Sequence, residues 1–400
     1  MTQLARDTRG RPFVVLWLAT LFFFLGFQIL LPVMPLYAAW LGAREADVGF
    51  IIGVFALAAM VLRPLAGDLA DRIGRRPLVL LGTAIFALAP LGYLAIGTVP
   101  GLLLLRAFHG TGMGFGPTAA TVIATDLTAP ERRGAAMGVY GLASAAALAV
   151  GPYLGAELVR GAGFSVTFLA ATAIEIVALA LAWGLPETRP VTDSPPAAAP
   201  ASEAAASSAG RLAQFWRRWF SPAAIYPSGL VLALYVSYGG IATLLPLFAE
   251  QRQLGNPGLF FTVFALMSLA VRSPAGRLSD RFGRRTVIAP ALALSGVSLA
   301  LLGMAFSRGM FLGAAGLYGV GFGAGQPALL AMTGDRVPPA ERGRAMGTLY
   351  TAWELGIFGG SVLLGFCATR LGYEATWWTA AAIAGIGAIA ALCPGSRLRG

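Results

Sequence analysis

The chain has 400 residues, 57% of them hydrophobic and 12% charged, and its mean hydropathy is +0.73. A soluble fold of this size carries about 25% charged residues, so the composition excludes one. The formal charge of +11 comes wholly from Arg, with no Lys; residue type therefore says little, position says more, and no nucleic-acid partner follows. Two cysteines, Cys367 and Cys393, lie in apolar stretches and give neither a disulfide framework nor a metal pattern.

In chain order, Arg6, Arg9 and Arg11 precede a run without charge from 12 to 43. A cleaved signal has an apolar core of about 7–15 residues, so this run reads as a first span that stays. Further charge-free runs cover 77–105, 219–249 and 286–307, and about 20 such residues cross a bilayer as helix. Cutting at charge clusters, Pro/Gly pairs and polar turns predicts an all-α membrane protein of twelve transmembrane helices. They fall at 13–38, 48–66, 78–98, 101–124, 135–159 and 164–185, then 222–248, 257–273, 286–306, 309–333, 345–368 and 374–394.

With the N-terminus inside, only Arg44, Arg160, Arg252, Arg308 and Arg370 fall outside; apart from Arg106 the other arginines, Arg63 and Arg272 among them, fall inside. Positive residues stay on the cytoplasmic side, so both termini are expected there. Residues 1–185 form a first six-helix bundle, 186–221 a cytoplasmic linker and 222–400 a second bundle. The linker's Pro/Ala/Ser-rich middle reads as flexible. Its end, Phe215-Trp216-Arg217-Arg218-Trp219-Phe220, suits the membrane interface.

The chain repeats itself. Arg63 to Gly163 aligns with Arg272 to Gly372 at a constant offset of 209. Leu69-Ala70-Asp71-Arg72-Ile73-Gly74-Arg75-Arg76 answers Leu278-Ser279-Asp280-Arg281-Phe282-Gly283-Arg284-Arg285, and Gly67 answers Gly276. Gly110, Gly112, Gly114 and Gly116 answer Gly319, Gly321, Gly323 and Gly325, and Asp126 answers Asp335. Six spans per repeat insert both halves the same way up, a transporter architecture.

The run Gly67-Asp68-Leu69-Ala70-Asp71-Arg72-Ile73-Gly74-Arg75-Arg76, with Leu105-Arg106-Ala107-Phe108-His109-Gly110 and Leu185-Pro186-Glu187-Thr188, resembles the major facilitator superfamily. Gly151-Pro152-Tyr153-Leu154-Gly155 resembles its drug–proton antiporter branch, although Ala147 and Ala156 stand where that branch has Gly. The resemblance implies that the duplicated loop is a latch between the halves, made of Gly67, Asp71, Arg72, Gly74, Arg75 and Asp126 and of Gly276, Asp280, Arg281, Gly283, Arg284 and Asp335. On elementary chemistry, Gly67 and Gly74 suit a tight turn. Asp71 suits the N-terminus of a helix from the other half, and Arg75 suits Asp126. The glycines of spans four and ten have small-xxx-small spacing, which favours helix packing over substrate contact.

A charge at mid-bilayer costs about 2.5–3.5 kcal/mol on insertion scales, so each embedded one calls for a reason. Arg106 matches a position that lines the cavity and takes part in proton coupling in the family; it also suits bonding to backbone carbonyls. His109, the chain's one His, suits either proton exchange or packing. Glu354, four residues from Tyr350 on span eleven, is the preferred proton carrier and Glu175 the second choice, since either loses its charge by binding a proton. The resemblance places Gln28, Tyr235, Tyr238, Gln326, Tyr350 and Trp353 on the cavity wall.

The expected function is a secondary transporter that exports hydrophobic or amphipathic compounds against proton entry. The runner-up is a proton-linked importer or facilitator of a small metabolite. No metalloprotease, hydrolase or P-loop motif supports an enzyme or a primary pump, and neither a channel nor a scaffold explains a duplicated Asp-bearing loop. The expected partners are a small-molecule substrate, protons and the bilayer of the cell membrane, with no cofactor, and the chain is expected to act as a monomer.

Overall fold

The computed structural model describes residues 10–189, 220–338 and 341–393. Arg6, Arg9, the linker from 190 to 219 with its Phe215–Trp219 stretch, Pro339, Arg397 and Arg399 lie outside the described residues. Among the described residues there is no strand. The helices are α1 (Gly10–Trp40), α2 (Glu45–Ile73), α3 (Arg75–Ala95) and α4 (Val99–Asp126). The run Arg133–Trp183 breaks at Gly163 into α5 (133–162) and α6 (164–183). Next come α7 (Ile225–Gln251), α8 (Gly258–Phe282), α9 (Arg284–Gly303) and α10 (Arg308–Gly334). Arg342–Leu392 breaks at Gly372 into α11 (342–371) and α12 (373–392).

The repeat is structural as well as textual. Gly163 and Gly372 take φ of 80° and 79°, and Gly74 and Gly283 take 108° and 94°, each pair 209 residues apart. Positive φ is open to Gly at little steric penalty, so the chain turns at these points. Thr98 caps α4 by accepting from the Gly101 N–H at 3.3 Å, and Ser307 caps α10 by accepting from Met310 at the same distance.

The tight turn expected at Gly67 does not form there, nor at Gly276. Gly67 and Gly276 are helical, and α2 and α8 run on to Ile73 and Phe282. Only Gly74 and Gly283 turn the chain. The ion pair Arg72–Asp68 at 3.0 Å, one turn apart, supports the end of α2 beyond the apolar stretch.

Contacts fix how the helices run. Along α1, Trp17 meets Val139 and Gln28 meets Gly151, so α1 and α5 run parallel. Tyr37 meets Phe164 and Phe168 while Gly26 meets Glu175, so α6 returns antiparallel after Gly163. In the second half Tyr235 meets Gly356 and Gly240 meets Leu364; Phe248 then meets Trp377 and Tyr226 meets Ala390. The same hairpin is built twice. A Cβ on Gly110 or Gly114 would press into α2, and one on Gly112 would press into α3; Gly319 and Gly323 meet α8, and Gly321 meets α9. Those glycines therefore pack helices.

The halves meet at the end remote from the Arg-rich turns. There the Ala46 N–H donates to Thr369 at 3.0 Å, Gly49 lies against the Ser361 carbonyl, and Gly365 lies against Glu45. Around the pseudo-axis, Thr262 donates to the Ala149 carbonyl at 2.6 Å and Asn256 to Glu157 at 2.6 Å, and Gly258 abuts Pro152. At the Arg-rich end Gly138 and Gly141 of α5 and Gly343 and Gly347 of α11 face open space. The bundles are joined at one end and splayed at the other.

Candidate functional site: a charged cavity between the bundles

Between the bundles lies a cavity of about 430 Å³ reached from the splayed end. α1, α2, α4 and α5 supply one wall, and α7, α8, α10 and α11 the other. Gln28, Tyr235, Tyr238, Gln326 and Trp353 line it as expected from sequence. Tyr350 does not: it is 39% exposed and leans on Trp353 with ring centroids 5.6 Å apart. Tyr350 thus stands off the wall although it shares a nominal face with Glu354.

The second-half wall is an ordered chain of contacts. Arg272 donates to Gln326 Oε1 at 3.1 Å, and Gln326 Nε2 donates to the Tyr235 hydroxyl at 2.8 Å. The Tyr235 ring stacks on Trp353 at 4.2 Å and 27°. Beside Trp353, Glu354 is 6% exposed and accepts from Arg63 Nη2 at 2.5 Å. That pair joins α2 of one half to α11 of the other inside the cavity, and removing either partner would strand a charge.

Arg106 lines the cavity and is 4% exposed. Its guanidinium lies 4.4 Å over the Phe55 ring, and its Nε reaches the Ile51 carbonyl at 3.5 Å. His109 is absent from the cavity wall. It is fully buried, with Nδ1 2.9 Å from the Tyr93 hydroxyl and its ring edge-on to Phe55 and Phe86. Glu175 also lies off the wall, buried against Gly26 with both carboxyl oxygens unpartnered. Of the four proton-coupling candidates, only Arg106 and Glu354 line the cavity; packing of α4 against α2 and α3, and of α1 against α6, sequesters the other two.

Sequence reasoning passed over Arg63 and Arg272 by counting them as cytoplasmic loop charges. Both lie inside the spans read at 48–66 and 257–273 and both begin the repeat, which is the signal that could have singled them out.

In the duplicated loop, Arg75 pairs with Asp126 at 2.8 Å and with Asp71 at 3.9 Å. Arg284 likewise pairs with Asp335 at 2.7 Å and with Asp280. Thr188 bridges the first cluster, its Oγ1 2.7 Å from Asp126 and its carbonyl 2.6 Å from Arg75. Arg281 lies over Phe282. The Asp71 side chain is 78% exposed and caps no helix of the other half, because the halves stand apart at this end. Gly151 and Gly155 pack on Gln28 and Ile29 of α1, and the Pro152 carbonyl meets Gly258, so this run sits where α1, α5 and α8 converge.

Two parallel six-helix bundles sharing a cavity open at one end define a membrane carrier. Residues 16–271 and 256–396 match the Major Facilitator Superfamily, and the chain belongs to that family. Over 367 residues it is 28% identical to an uncharacterized MFS-type transporter of Methanocaldococcus jannaschii, with 90% of this chain and 91% of the relative covered. It is 24% identical over 368 residues to the staphylopine export protein of Staphylococcus aureus, with 91% of each covered. A solved POT family transporter in complex with 5-aminolevulinic acid shares the fold at a TM-score of 0.79 and 14% identity, with 96% of each chain covered.

Proposed function

We propose that this chain is a proton-coupled carrier that moves an amphipathic solute across the cell membrane by alternating access, with Glu354 as proton carrier. The observation that carries the reading is the Arg63–Glu354 pair, which joins the two halves within the cavity. Ionised, Glu354 holds Arg63 and ties α11 to α2; protonated, it releases Arg63 and loosens the tie. One carboxyl thus links proton binding to the relation of the halves. The Arg-rich end is the cytoplasmic one, with both termini there, which the arginine distribution supports. In the opposite state the splayed ends close and bring Asp71 and Asp280, each beside its Arg–Asp cluster, against the facing half as the latch.

Export against proton entry is the first direction, supported by the Gly151-Pro152 run and by a relative named for export. Uptake with protons is the second; three guanidinium groups and one carboxylate on the cavity wall favour it. Drug susceptibility in an exporter-deficient host separates them. Under export, wild type raises the tolerated concentration of some amphipathic compound several-fold, Asp71→Asn lowers that gain and Glu354→Gln abolishes it. A wild type that changes no susceptibility leaves uptake as the reading.

A further inference from the structure

The cavity's charges do not balance. Its ionisable lining is Arg63, Arg106, Arg272 and Glu354, with the hydroxyls of Tyr235 and Tyr238. Only Arg63 meets the carboxylate. Arg106 rests on a ring, a long carbonyl contact and the neutral Tyr93 hydroxyl, and Arg272 on a neutral amide. Arg106 is buried and Arg272 is exposed, and two guanidinium groups lining one cavity without a carboxylate partner favour an anion. Around them the wall is aromatic and aliphatic, with Phe264, Phe322 and Trp353 on one side and Phe27, Phe55 and Met34 on the other.

We infer that the solute is an amphipathic organic anion, its carboxylate or similar group drawn to Arg272 and its apolar body laid against the aromatic wall. The inference rests on the carrier reading and takes its second direction, uptake with protons, over export. Glu354 faces Arg63 from α2 and Tyr235 from α7, and it shares the cavity with Arg106 of α4, Arg272 of α8 and Tyr238 of α7. Protonating it frees Arg63 as a third guanidinium for the anion. Anion and proton then favour each other by the same factor, since coupling is reciprocal. The solute and the proton bind together.

The test uses the purified full chain in lipid nanodiscs and radiolabelled 2-naphthoate, with 2-naphthylmethylamine and 2-naphthamide as competitors. The naphthoate carboxylate stays ionised from about pH 5.5 to 8. Naphthoate is expected to bind more tightly at the lower pH, and both competitors to displace it at least about tenfold less well than unlabelled naphthoate. Arg272→Gln should weaken naphthoate by about tenfold while Arg272→Lys keeps most of the affinity. Glu354→Gln should tighten naphthoate and flatten its pH dependence. An amine that competes better than naphthoate, or a Glu354→Gln variant that keeps a cooperative melt yet loses naphthoate, overturns the inference. Counterflow in proteoliposomes separates the two claims: naphthoate that binds without ever exchanging sinks the carrier reading, whereas amine exchange without naphthoate binding sinks the anion.

Discussion

Glu175 and Gly26 occupy one space. A Cβ on Gly26 of α1 would run into the Glu175 carboxyl of α6, which is 1% exposed. Gly26→Ala should therefore lower stability by about 1–3 kcal/mol through overpacking. Adding Glu175→Ala should restore most of it, as a double-mutant cycle of detergent melts would show. Additive losses would mean that the methyl strains something else. Glu175→Gln should leave proton coupling as in wild type, unlike Glu354→Gln. Both glutamates are visible in the sequence as embedded carboxyls; what separates them is not. Glu354 acquires its role from Arg63, 291 residues away in the chain, and Glu175 loses it to a helix contact with Gly26. Local spacing predicts which residues share a helix face, but it does not say which face another bundle turns into a cavity. Tyr350, on the face of Glu354 by spacing, is absent from the cavity wall for that reason.

Where α2 hands over to α3, an element from elsewhere finishes the turn. α3 has no capping side chain of its own. Glu187, just beyond α6, accepts from the backbone N–H groups of Arg75 at 3.0 Å and Arg76 at 3.1 Å, and from those of Thr188 and Arg189. Burial works to raise its pKa, but the N–H donors of Arg75, Arg189, Arg76 and Thr188 outweigh that and hold it below the ordinary glutamate value. A depressed pKa in the folded chain gives stability that is present once the unfolded carboxyl would ionise and is lost as pH falls through the folded value. Glu187→Gln should therefore melt below wild type at about pH 7, and the gap should narrow towards about pH 3. An unchanged gap would assign Glu187 a role in packing alone. The Gly74 turn was legible as a glycine between charged runs; its cap was not, because α6 must first fold back antiparallel to α1 before Glu187 can reach it.

For the molecule as a whole, the offset of 209 makes both bundles legible, with their matching turns at Gly163 and Gly372. It does not reveal which end is closed, because two states of one sequence differ by only a few kcal/mol. The contacts do: α2 meets α11, and α5 meets α8, at the end remote from the Arg-rich turns. If the bundles rock, these contacts must part in every cycle. Ala46 and Thr369 are close enough for the Ala46 N–H to reach the Thr369 hydroxyl at 3.0 Å, which favours the short separation a disulfide needs. In a background with Cys367→Ser and Cys393→Ser, the pair Ala46→Cys and Thr369→Cys should cross-link under mild oxidant. Transport should then fall to background and return on reduction, while binding from the Arg-rich side persists in the cross-linked chain, because the cavity already opens there. A cross-linked chain that still transports would show that solute passes without the far end opening, and rocking would have to be abandoned.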